Sequence, residues 1–180
     1  MSSWEFVLLF WAILLGAGVT NLIHGVGTSI LHRDRVRFSF LHLSWLIILL
    51  FLYVSAWFNL FGEQDQVFEF VDYLSGFLHL ICLSLLTVIS FPSFGGTNPL
   101  DLREHFFHIR RPYFLIWSLF WLPGIFAALT AQEGAGGLLA NLDVFVYFGA
   151  SCAGFSSANA KLHAWLPAIV VFGGMVPQFF

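Results

Sequence analysis

Long apolar runs separated by short polar breaks set the pattern of this chain. A helix crossing the hydrocarbon core of a bilayer needs about 20 mostly apolar residues. Runs of that kind fall at about 4–29, 39–61, 67–91, 112–131, 138–157 and 162–180. The breaks between them read H-R-D-R-V-R, G-E-Q-D-Q, a long central stretch, Q-E-G-A-G and S-S-A-N-A-K-L-H. Six spans are expected, or five if the last two runs merge. The central stretch runs from Phe91 to Tyr113 and is the longest interruption. Within it, Asp101 and Glu104 precede Arg110 and Arg111, the charge order that complements a helix dipole. Leu102, Phe106 and Ile109 share one face of that segment. The pattern predicts a short interfacial helix over about 99–111, ended by Pro112, between the third and fourth spans.

Composition points the same way. Hydrophobic residues make up 59%, aromatic residues 19% and charged residues 9%, with mean hydropathy +0.86. Soluble domains carry about 25% charged residues, so a water-facing surface cannot be assembled here. The expected fold is all-α, a polytopic membrane bundle forming a single integral membrane domain over 1–180. Cys82 and Cys152 both lie in apolar runs and read as buried thiols. The N-terminal Met-Ser-Ser-Trp-Glu has no positive n-region, so the first apolar run is expected to be retained.

Charge placement then assigns sides. Arg33, Arg35 and Arg37 sit in the first break, Arg103, Arg110 and Arg111 in the central one, and Lys161 in the last. Those are all seven Lys and Arg residues. Under the positive-inside rule these breaks are cytoplasmic, with both termini outside. The acids Glu5, Glu63, Asp65, Glu69 and Glu133 gather on the opposite side. The expected partners are the lipid bilayer and either further copies of the chain or other membrane subunits, with no nucleic acid.

The start W-E-F at Trp4 to Phe6, together with D-L-R-E-H-F-F-H-I-R-R-P-Y-F in the central stretch, resembles a group of small bacterial multi-span proteins of uncharacterised function. The matching positions are Asp101 to Arg103, His105 to Phe107, and Arg110 with Arg111. The resemblance implies a bacterial inner-membrane setting. It brings no activity with it.

Ionisable residues inside a span are costly, and each is a functional hypothesis. On the third run Asp72, Ser75, His79, Cys82, Leu86 and Ser90 fall within an arc of about 80° at 100° per residue. An Asp-to-His stripe of this kind would pass protons or bind a cation, and the plainer reading is interhelical glue. On the first run Ala17, Asn21, His24 and Thr28 share a face whose small residues suit close helix packing. On the fifth, Asp143, Tyr147, Ser151 and Gly154 do the same. The candidate intramembrane polar path is therefore Asp72, Ser75 and His79, with Asp143, Asn21 and His24.

Seven histidines raise the question of haem or metal. Haem between helices wants two His at matching depth on facing helices. His24, His42 and His163 lie at similar depth, but nothing in the sequence makes them face each other. His105 and His108, three apart with Asp101 and Glu104 adjacent, share a helical face, but two ligands at helical spacing fall short of a site. No cofactor or metal is expected. No nucleophile elbow, H-E-x-x-H or phosphate-cradling loop is present, so no catalytic residue is assigned. The expected function is a small transporter or channel for protons, a cation or a small solute. The alternative is a non-catalytic membrane subunit or scaffold whose polar stripes only pack helices.

Overall fold

Six α-helices form from the apolar runs, in a computed structural model that describes residues 3–62, 70–96, 98–130 and 141–175. They are α1 (Ser3–Leu31), α2 (Phe40–Gly62), α3 (Phe70–Ser90), α4 (Leu102–Thr130), α5 (Leu142–Ser156) and α6 (Ala160–Val170). A π-helical turn, Val171–Met175, continues α6. The chain is an all-helical bundle, and α1 to α4 are each long and apolar enough to cross a membrane. The fifth and sixth expected spans correspond to the shorter apolar helices α5 and α6. Residues 138–140 and 176–180 of those spans lie outside the described residues, as do 67–69 of the third.

The chain divides into two units, Met1–His105 and Phe106–Phe180. In the first, α1, α2 and α3 pack pairwise on one another. Their core is large and aliphatic or aromatic, with Trp11, Leu15 and Leu22 from α1, Trp45, Leu49 and Tyr53 from α2, and Leu83 and Leu86 from α3. Close approach requires glycine at two points: a Cβ on Gly18 would run into the Tyr53 ring, and one on Gly25 into Phe91. Two breaks in the sequence meet as a two-residue parallel ladder, Val36 opposite Leu100 and Arg37 opposite Asp101. Leu100 N–H donates to Arg35 C=O at 2.8 Å, and the Arg35 guanidinium donates to Gly96 C=O.

In the second unit α5 packs on α6 and on the π-helical turn. Trp121 of α4 stacks on Tyr147 of α5 with centroids 4.0 Å apart. Gly154 leaves room for the Phe114 ring, against which any Cβ would collide.

The expected division at Pro112 is absent. The segment read as an interfacial helix and the fourth span are one helix of 29 residues, with Pro112 and Pro123 inside it. A proline within a helix removes one hydrogen bond and costs about 3 kcal/mol in a soluble helix interior. Here Tyr113, Phe114 and Trp117 follow Pro112 directly and are all buried. Keeping helical phase through Pro112 is what brings Phe106 against Tyr113 and Phe114, with ring centroids 6.0 and 6.3 Å apart. At 1.5 Å per residue the helix is about 43 Å long, longer than a hydrocarbon core of about 30 Å. Its start carries the charges Arg103, Glu104, Arg110 and Arg111 and continues the spanning helix beyond that core.

Candidate functional site

The polar stripe of α3 turns inward, as its spacing predicts. Ser75 and His79 are half-buried, while Cys82, Leu86 and Ser90 are buried. Asp72 is part of α3, but its side chain lies outside the described residues. His79 Nδ1–H donates to Ser75 C=O, one turn back, at 2.7 Å. Thr87 Oγ1 donates to Leu83 C=O at 3.0 Å, and Ser90 Oγ to Leu86 C=O at 2.7 Å. Tyr53 of α2 reaches across, its hydroxyl 2.9 Å from Thr87 Oγ1 and 3.2 Å from Leu83 C=O. These bonds return each hydroxyl to the backbone of α3 or bind α2 to it. Leu80, Cys82 and Leu83, which lie between His79 and Thr87 along α3, are all buried.

A second set of polar groups gathers at helix ends. The last carbonyls of a helix have no partner within it. His42 Nε2–H donates to Ser90 C=O at 2.7 Å, and His105 Nε2–H to Ile89 C=O at 3.1 Å. Two imidazoles, from α2 and α4, thus satisfy the final turn of α3. His32 Nδ1–H donates to Thr28 C=O in the last turn of α1 at 2.9 Å. In the second unit His163 Nε2–H donates to the C=O of Ser157, the residue that ends α5, at 2.7 Å. His163 is wholly buried, with the rings of Phe106, Phe107 and Phe114 at 5.6, 5.3 and 5.5 Å. The sequence grouped His24, His42 and His163 by depth, but the structure gives them different work. His24 is exposed, and the other two spend a ring N–H on a carbonyl. Among the described residues no group of three or more His, Cys, Asp or Glu side chains is placed to hold a metal ion.

Within the chain, α1 packs through a different face from the one that its Ala17, Asn21, His24 and Thr28 suggest. Its packed side is Trp11, Leu15, Gly18, Leu22, Gly25 and Ser29. Ala17, Thr20, Asn21 and His24 are exposed, on a face centred about 120° round the helix from the packed one. Both faces carry small residues, so size alone did not distinguish them. The signal available was the regular spacing of Trp11, Leu15 and Leu22 with Gly18 and Gly25, large groups alternating with sockets. Thr20 Oγ1 donates to Gly16 C=O at 2.8 Å. Asn21 and His24 make no side-chain hydrogen bond among the described residues.

The remaining candidates are dispersed. Asp143 is half-exposed in the first turn of α5, where an acid suits the helix dipole. Asp101 caps α4: its Oδ1 accepts from Arg103 N–H at 2.8 Å and Glu104 N–H at 3.2 Å. Arg33, Arg37, Arg103, Arg111 and Lys161 are exposed, and Arg35 and Arg110 half-buried. An apolar groove of about 300 Å³ between α1 and α2 is lined by Leu15, Val19, Leu50, Tyr53, Val54 and Trp57. The Tyr53 hydroxyl of that lining is committed to α3, and the walls of the groove are almost wholly apolar. No family model, curated protein or solved structure matches the chain.

Proposed function

We propose that the chain is a non-catalytic membrane subunit or scaffold, not a conduction path. One observation carries this reading. The polar groups of α3, from His79 to Ser90, are taken up by carbonyls of their own helix and by Tyr53. Polar residues used this way hold helices in register, the role that intramembrane hydrogen bonds serve in helix association. A transporter would need a continuous relay or a wet polar cavity. The described part of α3 instead presents buried Leu80, Leu83 and Leu86 among its hydroxyls.

In this reading α5 and α6, with the π-helical turn, complete six spans. The seven Lys and Arg residues then share the cytoplasmic side and both termini lie outside, in a bacterial inner membrane as the D-L-R and R-R motifs suggest. Proteoliposomes loaded with a pH-sensitive dye and assayed under proton and K⁺ gradients test the scaffold role. Leak no greater than in protein-free vesicles is expected for the wild type, and His79→Ala should lower only thermal stability. Flux that disappears in His79→Ala or Asp72→Asn would replace the scaffold reading with transport.

A further inference from the structure

We propose that a second copy of this chain covers the outward polar face of α1, the two helices packing in parallel about a two-fold axis along the membrane normal. The proposal rests on the scaffold reading and names its partner. It begins from two side chains in an unfavourable place. The apolar span of α1 runs from Val7 to Leu31. Asn21 lies about 15 Å along the axis from Leu31, and His24 about 10 Å. Both are therefore at the depth of lipid tails, both are exposed, and neither has a hydrogen-bond partner among the described residues. A carboxamide and an imidazole left facing hydrocarbon are unsatisfied polar groups of the kind membrane proteins bury against protein.

The face suits an identical neighbour. Ile13, Ala17, Asn21, His24 and Thr28 follow one another at spacings of three and four, a continuous seam along the helix. Ala17 is the smallest side chain of the seam. Two backbones can therefore approach closely there, as small residues allow at membrane helix contacts. The seam carries no formal charge with His neutral. An amide donates and accepts, and so does a neutral imidazole. Such groups are self-complementary, which an isologous contact requires. A two-fold axis along the normal also places each Asn21 at the depth of its twin, with no further matching of sequences. An axis in the membrane plane would invert one copy and put its basic loops on the wrong side, so the pair is parallel.

Cysteine cross-linking in native membranes tests this. In a Cys152→Ser background, which leaves only the buried Cys82, Ala17→Cys is oxidised with copper phenanthroline. The expected product is a disulfide species of twice the 20.3 kDa chain. Ile23→Cys is the control, 65% exposed on the same helix but about 9 Å along its axis and about a third of a turn away, and should not cross-link. Independently, Asn21→Ala in detergent should weaken self-association roughly three- to tenfold, the range of one intramembrane hydrogen bond. Because Asn21 is outside the packed core, that variant should keep its helix content. Equal cross-linking at both positions, or unaltered association in Asn21→Ala, overturns the dimer. Cross-linking of Ala17→Cys to a different protein overturns the second copy and keeps the scaffold role. No adduct of any kind at Ala17 also overturns the dimer, and the flux assay then decides the scaffold role by itself.

Discussion

His42 Nε2 lies 2.7 Å from the carbonyl oxygen of Ser90, joining the first turn of α2 to the last residue of α3. His42 is buried, and Phe91 packs edge-on against its ring at 5.9 Å. With His105 on the adjacent Ile89 carbonyl, this bond closes the end of α3 that would otherwise expose its last carbonyls. His42→Leu keeps the volume and removes the donor. Leaving a buried carbonyl unsatisfied costs about 1–3 kcal/mol. The thermal midpoint of the variant in detergent should fall accordingly, and an unchanged midpoint would show that the bond adds nothing.

The glycines separate into two kinds by what surrounds them. A methyl group at Gly18 would overlap the Tyr53 ring, whereas at Gly149 it would meet nothing within 4 Å. Overpacking a filled contact costs about 1–3 kcal/mol, so Gly18→Ala should lower stability by that order. Gly149→Ala should be neutral or stabilising by up to about 1 kcal/mol, the helix-propensity difference. Equal effects in the two variants, compared by chemical denaturation in micelles, would contradict the packing of α1 on α2.

Asp101 ends the small parallel ladder and starts α4. Its carboxylate accepts from the N–H groups of Arg103 and Glu104, the pattern of an N-cap. Asp101→Ala should cost about 1 kcal/mol, and Asp101→Asn much less, since the amide oxygen still accepts. Hydrogen exchange at Arg103 and Glu104 reads the effect directly. Faster exchange is expected in the alanine variant, and exchange at the wild-type rate would mean that the helix start is held by other contacts.

Helix lengths and their order were legible from residues alone. The runs expected at 4–29 and 39–61 appear as Ser3–Leu31 and Phe40–Gly62, and the described part of the third as Phe70–Ser90. The reason is that a membrane-spanning segment must satisfy its backbone within itself, so an apolar run of bilayer length has one structure available to it. Of the stripe read on α3, Cys82, Leu86 and Ser90 are buried and Ser75 and His79 half-buried, while Thr87, which the stripe left out, is the polar side chain that meets Tyr53.

What tertiary structure decided was orientation and continuity. Pro112 was read as a helix start, yet the aromatic packing of Tyr113, Phe114 and Trp117 carries α4 straight through it. On α1, faces about a third of a turn apart both bear small residues, and the helix cannot know which one to bury. That choice belongs to Tyr53 and Phe91, large rings from elsewhere in the chain that fit against Gly18 and Gly25. Once they are seated, Asn21 and His24 are left facing outward, and periodicity within α1 contains no information about them. The central stretch likewise changed character: its charges mark a helix end, while its histidine at position 105 closes a helix that began thirty-five residues earlier, at Phe70. Local pattern determines which stretches become helices. The shapes of distant side chains determine which faces they bury.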